Sequence, residues 1–99
     1  MAMMEITVVP VGTGKTSASA YIAEIFKYLR KQKGLHYELN GMGTLVTGKT
    51  DQLFKLAAAM HKIPFAMKVK RVYTVIKIDD RKDKIQFPLD KVDAVLKRL

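Results

Sequence analysis

The residues from Leu35 to Thr50, LHYELNGMGTLVTGKT, admit two incompatible readings, and the choice between them decides the fold. Gly43 to Thr50 satisfies every required position of the phosphate-loop pattern G-x-x-x-x-G-K-T, which belongs between a buried parallel strand and a helix. The same stretch also reads as a hairpin. Leu35, Tyr37 and Leu39 alternate with His36, Glu38 and Asn40, Gly41-Met42-Gly43 has turn chemistry, and Thr44 to Thr47 is a short β-branched run. A phosphate loop needs flexible backbone whose N–H groups curl round an anion, whereas a hairpin strand commits those groups to its neighbours. At 99 residues the chain is short for the usual parallel sheet, and it has no convincing apolar strand ending on a magnesium-binding Asp. The segment therefore predicts a hairpin, with the phosphate-loop match coincidental. Gly12 to Thr16 resembles the same pattern but has Val9 where the first glycine should stand, although a helix start at that point could still favour an anion.

Outward from the hairpin, the pattern resolves into alternating elements. Glu5 to Val11 is strand-like and Pro10 to Gly14 breaks it. Ala18, Tyr21, Ile22, Ile25 and Leu29 recur at helical spacing, with Thr16 or Ser17 as N-cap and Gly34 as the stop. After the hairpin, Thr50 or Asp51 is expected to cap a helix with a buried stripe of Leu53, Phe54, Ala57 and Met60, ended or kinked by Pro64. Val72, Thr74, Ile76 and Ile78 form one face of a last strand. Asp79 to Lys84 is a solvated turn, and Pro88 opens a helix with the stripe Leu89, Val92, Val95, Leu96 and Leu99. The order β-α-β-β-α-β-α predicts one α+β domain over residues 1–99. Its expected form is a ferredoxin-like sandwich: a four-stranded antiparallel sheet, helices on one face, and a C-terminal helix appended.

Composition narrows the setting. There is no cysteine, which excludes disulfides and thiolate metal sites, and no apolar run is long enough to span a bilayer. Met1 to Met4 lack the basic leader of a signal peptide, so a cytoplasmic protein with no membrane partner is expected. The net charge of +9 favours anionic partners, but its cations are scattered, as a solvated surface would have them. If Ile6, Val8, Val72, Thr74 and Ile76 face the helices, then Val9, Val11, Tyr73 and Val75 form an apolar patch on the other side. A second sheet is expected to pack there, making a homo-oligomer.

No arrangement of residues points to catalysis: a nucleophile elbow, a Ser/His/Asp order and a suggestive carboxylate pair are all missing. His36 and His61 lack metal-ligand spacing, and Asp79, Asp80 and Asp83 are interleaved with Arg81, Lys82 and Lys84, so no metal or cofactor is expected. RNA recognition on this fold places aromatics on central strands, and the last strand offers only Tyr73, so nucleic acid is the weaker alternative. An acylphosphatase-like enzyme ranks below it, for want of the anion loop.

Glu5 to Gly14, Ser17 to Ala23, Gly34 to Thr44 and Lys70 to Lys84 together resemble the thiamine-binding (YkoF-like) family of ferredoxin-like proteins. The resemblance implies a non-enzymatic subunit that assembles into dimers or tetramers and binds thiamine, thiamine phosphate or the hydroxymethylpyrimidine moiety. Where the family commonly carries a Glu after the hairpin strand, this chain has Thr47, which removes a partner for the thiazolium cation. An aminopyrimidine needs an apolar slot with a few fixed polar groups. Thr7, Gly12, Thr13, Ser17 and Ser19 near the first strand, with Asn40, Met42, Gly43, Thr44 and Thr47 in the hairpin, are the expected ligand contacts.

Overall fold

The computed structural model describes residues 1–99. Four strands and three helices follow in the order β1 (Ala2–Val11), α1 (Ser19–Arg30), β2 (His36–Asn40), β3 (Gly43–Gly48), α2 (Thr50–Ala66), β4 (Arg71–Asp80) and α3 (Pro88–Leu96). The strands form one antiparallel sheet in the order β2-β3-β1-β4, the ferredoxin-like arrangement. Gly43 to Gly48 is thus a strand bonded on both sides, and the phosphate-loop match is a coincidence of sequence.

Alternation along β1 sets the layers. Ala2, Met4, Ile6 and Val8 are buried beneath the helices, joined by Val46 of β3, Ile25 and Leu29 of α1, and Leu53, Leu56, Ala57 and Met60 of α2. Phe54, expected in this stripe, is 57% exposed, and Leu56 takes its place. On a helix anchored by Leu53, Ala57 and Met60, Leu56 sits on the inner face one turn from Leu53, while Phe54 is rotated about 100° away. Side-chain caps are also absent where they were expected. Ala18 and Lys49 occupy the N-cap positions, Ser17 receives the Ser19 N–H at 3.3 Å, and the Thr50 hydroxyl donates to Asp80 at 2.8 Å. Pro64 does not end α2. It is buried inside the helix, which closes when the N–H groups of Met67 and Val69 both return to the Pro64 carbonyl.

α1 and α2 cover one face of the sheet, and the C-terminal segment turns onto the other. The Phe87 ring packs edge-on against His36 with centroids 5.4 Å apart, and Lys91 of α3 pairs with Asp79 of β4. By register, His36, Thr47, Met3 and Asp79 all lie on this second face. The turn before α3 is held by Arg81, whose Nε donates to Asp83 at 2.9 Å. That contact holds the Asp83 carboxyl below its usual range and raises the Arg81 guanidinium. The stripe of α3 remains uncovered: Leu89, Val92, Val95, Leu96 and Leu99 are all exposed.

Under this cover Thr47 is wholly buried, and its hydroxyl has no hydrogen-bond partner. An unpaired buried hydroxyl costs about 1–3 kcal/mol, and an isosteric apolar group removes that cost. Thr47→Val is therefore expected to leave stability unchanged or raise it by up to ~1 kcal/mol, whereas Thr47→Glu buries a charge and loses several kcal/mol. Urea unfolding of the two variants checks this; a Thr47→Val protein weakened by more than about 1 kcal/mol contradicts the burial argument.

Candidate functional site

The hairpin is shorter than the strand it joins. β3 pairs with β1 only from Ala2 to Ile6, and the turn at Asn40 to Gly43 leaves Thr7 to Val11 with β4 alone as neighbour. α1 begins alongside this unpaired stretch, and three of the four residues it first presents there are small: Ala18, Ser19 and Ala23, with Ile22. A short hairpin beneath a small-residue helix leaves space, and a cavity of about 570 Å3 opens there. Its floor is Ile6, Val8, Thr44 and Leu39 from the sheet with Met60 from α2. Ile22, Ile25 and Phe26 of α1 form the wall, and Asn40, Gly41, Met42 and Gly43 form the rim. No lining residue is charged. The slot is apolar, with polar groups confined to Thr7, Ser19, Asn40, Thr44 and backbone.

The rim is fixed by its own hydrogen bonds. The Thr7 hydroxyl donates to the Met42 carbonyl at 3.0 Å, and the Met42 N–H donates to the Asn40 carboxamide oxygen at 2.8 Å, which leaves the Asn40 amide hydrogens available. Gly43 is required by this closeness: a Cβ there would stand 2.8 Å from Thr7 Oγ1 and 3.1 Å from the Ile6 carbonyl oxygen. Ser17 and Ser19 hydroxyls lie 3.1 Å apart at the head of α1.

Six of the ten expected ligand contacts line this cavity: Thr7, Ser19, Asn40, Met42, Gly43 and Thr44. Gly12, Thr13 and Ser17 do not. The Thr13 hydroxyl holds the loop by bonding the Lys15 backbone, and Gly12 (φ 77°) and Gly14 (φ 73°) supply left-handed turns. Thr47 lies outside the cavity as well, one strand-face away beneath the C-terminal segment, because it alternates with the helix-facing Thr44 and Val46. The apolar side chains of Ile22 and Phe26 in the wall and Leu39 in the floor were not foreseen as part of the site. Leu39 carried the signal, since it shares a face with Tyr37 yet sits beside the turn. Val9, Tyr73 and Val75 are exposed on the second face and Val11 is half-buried, with Val9 opposite Tyr73 in register. His36 lies against Glu38 and His61 bonds Thr74, so the two histidines serve separate elements.

A family model described as thiamine-binding protein matches residues 4–96. A UPF0045 protein of Staphylococcus xylosus, encoded in the glkA 3′ region, is 43% identical over 102 residues, covering 100% of this chain and 95% of the relative. Among solved structures, the MJ1052 protein of Methanocaldococcus jannaschii superposes with a TM-score of 0.83 at 31% identity, over 97% of this chain and 96% of that one. TM0486 of Thermotoga maritima, a candidate thiamine biosynthesis/salvage protein, gives 0.76 at 19% identity over 95% and 97%, a likeness of fold alone.

The rim geometry makes one substitution diagnostic. Gly43→Ala is expected to push the turn away from Thr7, break the Thr7–Met42 bond and cost about 1–3 kcal/mol, as overpacking does. Thermal unfolding checks it, with amide exchange at Met42, whose N–H bond to Asn40 belongs to the same turn, as a reporter of the shift; unchanged stability and unchanged protection contradict the close approach.

Proposed function

Because the chain belongs to the thiamine-binding protein family, we propose that it binds thiamine or its hydroxymethylpyrimidine part, free or phosphorylated, in the cavity between α1 and the hairpin turn, without catalysing a reaction on it. The observation that carries this reading is the form of the slot. Its volume falls in the range of small-molecule pockets, about 300–1,000 Å3, its walls are apolar, and its polar groups are few: Thr7, Ser19, Asn40, Thr44 and the backbone of the turn. A flat aminopyrimidine ring gains from burial against Ile22, Phe26 and Met60, while its ring nitrogens and amine meet Asn40, Ser19, Thr44 and the backbone of Met42 and Gly43. Thr7 contributes by holding the turn. The cavity brings together no nucleophile and base and no charged side chain, which favours binding over chemistry.

The same reading extends to assembly. Val9, Val11, Tyr73 and Val75 make an apolar patch on the second face, the side onto which the C-terminal segment turns, and a second copy of this face is the natural cover in a cytoplasmic homo-oligomer. No helix of the chain is long and apolar enough to cross a membrane.

Thermal shift against thiamine, thiamine monophosphate and hydroxymethylpyrimidine tests the ligand, since a compound that binds the folded state raises the midpoint. The expected result is a saturable rise with the pyrimidine compounds that is lost in Ala23→Phe, which fills the slot. No shift with any of them ends the proposal. For assembly, Val75→Lys is expected to reduce the particle size seen by light scattering, and a monomeric unmodified protein removes that part of the account.

A further inference from the structure

The nine carboxylates are Glu5, Glu24, Glu38, Asp51, Asp79, Asp80, Asp83, Asp90 and Asp93, which leaves residues 6–23 and 52–78 without a single acid. The fold gathers the distal parts of both stretches at one end. β1 ends where β4 begins, with Val11 opposite Arg71, α1 starts there and α2 finishes there. Lys15, Lys62, Lys68, Lys70 and Arg71 therefore share an end of the sandwich to which neither stretch brings an acid, and none of the six ion pairs in the chain engages any of them. The uncharged cavity adjoins this end. Val9 and Ala18 both line it, and the loop between them carries Lys15.

We infer that this basic end is a phosphate subsite of the cavity, so that the chain prefers the phosphate ester of its ligand to the unphosphorylated form. The inference rests on the cavity binding the pyrimidine half as proposed above. An anion has no partner among the cavity's own side chains, whereas a phosphate carried at the far end of a pyrimidine-anchored molecule projects out of the slot. Lysine stems are long enough to meet it, and cations without intramolecular partners forfeit no existing ion pair in doing so. Gly12 and Gly14 let the loop that bears Lys15 turn sharply, and the Thr13–Lys15 bonds hold it in place.

Calorimetric titration of the full chain with thiamine and with thiamine monophosphate tests this, using inorganic phosphate and a single-stranded RNA oligonucleotide as further probes. The expected result is a monophosphate advantage of about tenfold at low salt, the worth of one charge-assisted contact, shrinking severalfold as ionic strength rises. The triple variant Lys15→Gln, Lys68→Gln, Lys70→Gln, which leaves Arg71 beside the Val11 patch untouched, should lose that advantage while keeping its affinity for thiamine. The double variant Lys31→Gln, Lys33→Gln, which removes charge at the opposite end, should keep it. Thiamine binding with no phosphate advantage, or an advantage lost equally in both variants, overturns the subsite and leaves the pyrimidine pocket standing. Failure of every thiamine compound to bind ends both. RNA that binds more tightly than the monophosphate and loses affinity in the triple variant assigns the basic end to a polymer instead, and also overturns the inference.

Discussion

The structure turns on the unequal partnership of β1. Its ten residues pair with β4 along their whole length but with β3 only from Ala2 to Ile6. Inside the five-residue overlap the sheet is complete, and Met4, Ile6 and Val46 bury tightly against α1 and α2. Beyond it the sheet narrows to two strands while α1 continues overhead, and the small side chains of Ala18, Ser19 and Ala23 do not fill the gap. The pocket is a consequence of strand lengths and side-chain volumes, so its position is as fixed as the register itself.

The same mismatch explains how much of the site was legible beforehand. Gly41-Met42-Gly43 announced the turn, and period-two alternation on either side announced the strands, which was enough to set aside a full phosphate-loop match. It also brought Asn40, Met42, Gly43 and Thr44 into the site, since turn residues expose backbone groups by nature. What was not legible depended on distant chain. Thr47 reads as one more polar hairpin residue until the C-terminal segment returns across the second face, with Phe87 on His36, and buries it. Phe54 and Leu56 are both apolar and two residues apart, and only the contact of α2 with the sheet decides which of them enters the core. The exposed stripe of α3 has helical period and no partner within the chain, so periodicity alone gave its form and not its surroundings.

Charge and shape are divided between regions. The slot is neutral, the carboxylates gather toward the end where Ala2 meets Asp80, and a basic end lies beyond the hairpin turn. A net charge of +9 spread evenly would act mainly through a long-range field, which salt screens within about 10 Å at 0.1 M. The cations at that end lack neighbouring acids from residues 6–23 and 52–78, so they add a local contribution to this scattered field. On the proposed reading, recognition of the ring by burial and of its substituent by charge are separable, each assigned to its own set of residues.

The most direct test of the account is an amide chemical-shift map of the labelled protein during titration with hydroxymethylpyrimidine, which carries no charge that could draw it elsewhere. The account predicts perturbations confined to Ala18 to Ala23, Thr7 to Val9 and Leu39 to Thr44. A smaller cavity of about 180 Å3 on the second face, lined by Met3, Leu45, Lys77 and Lys91, provides the internal comparison. Perturbations centred on those four residues, with the hairpin turn unmoved, would contradict it.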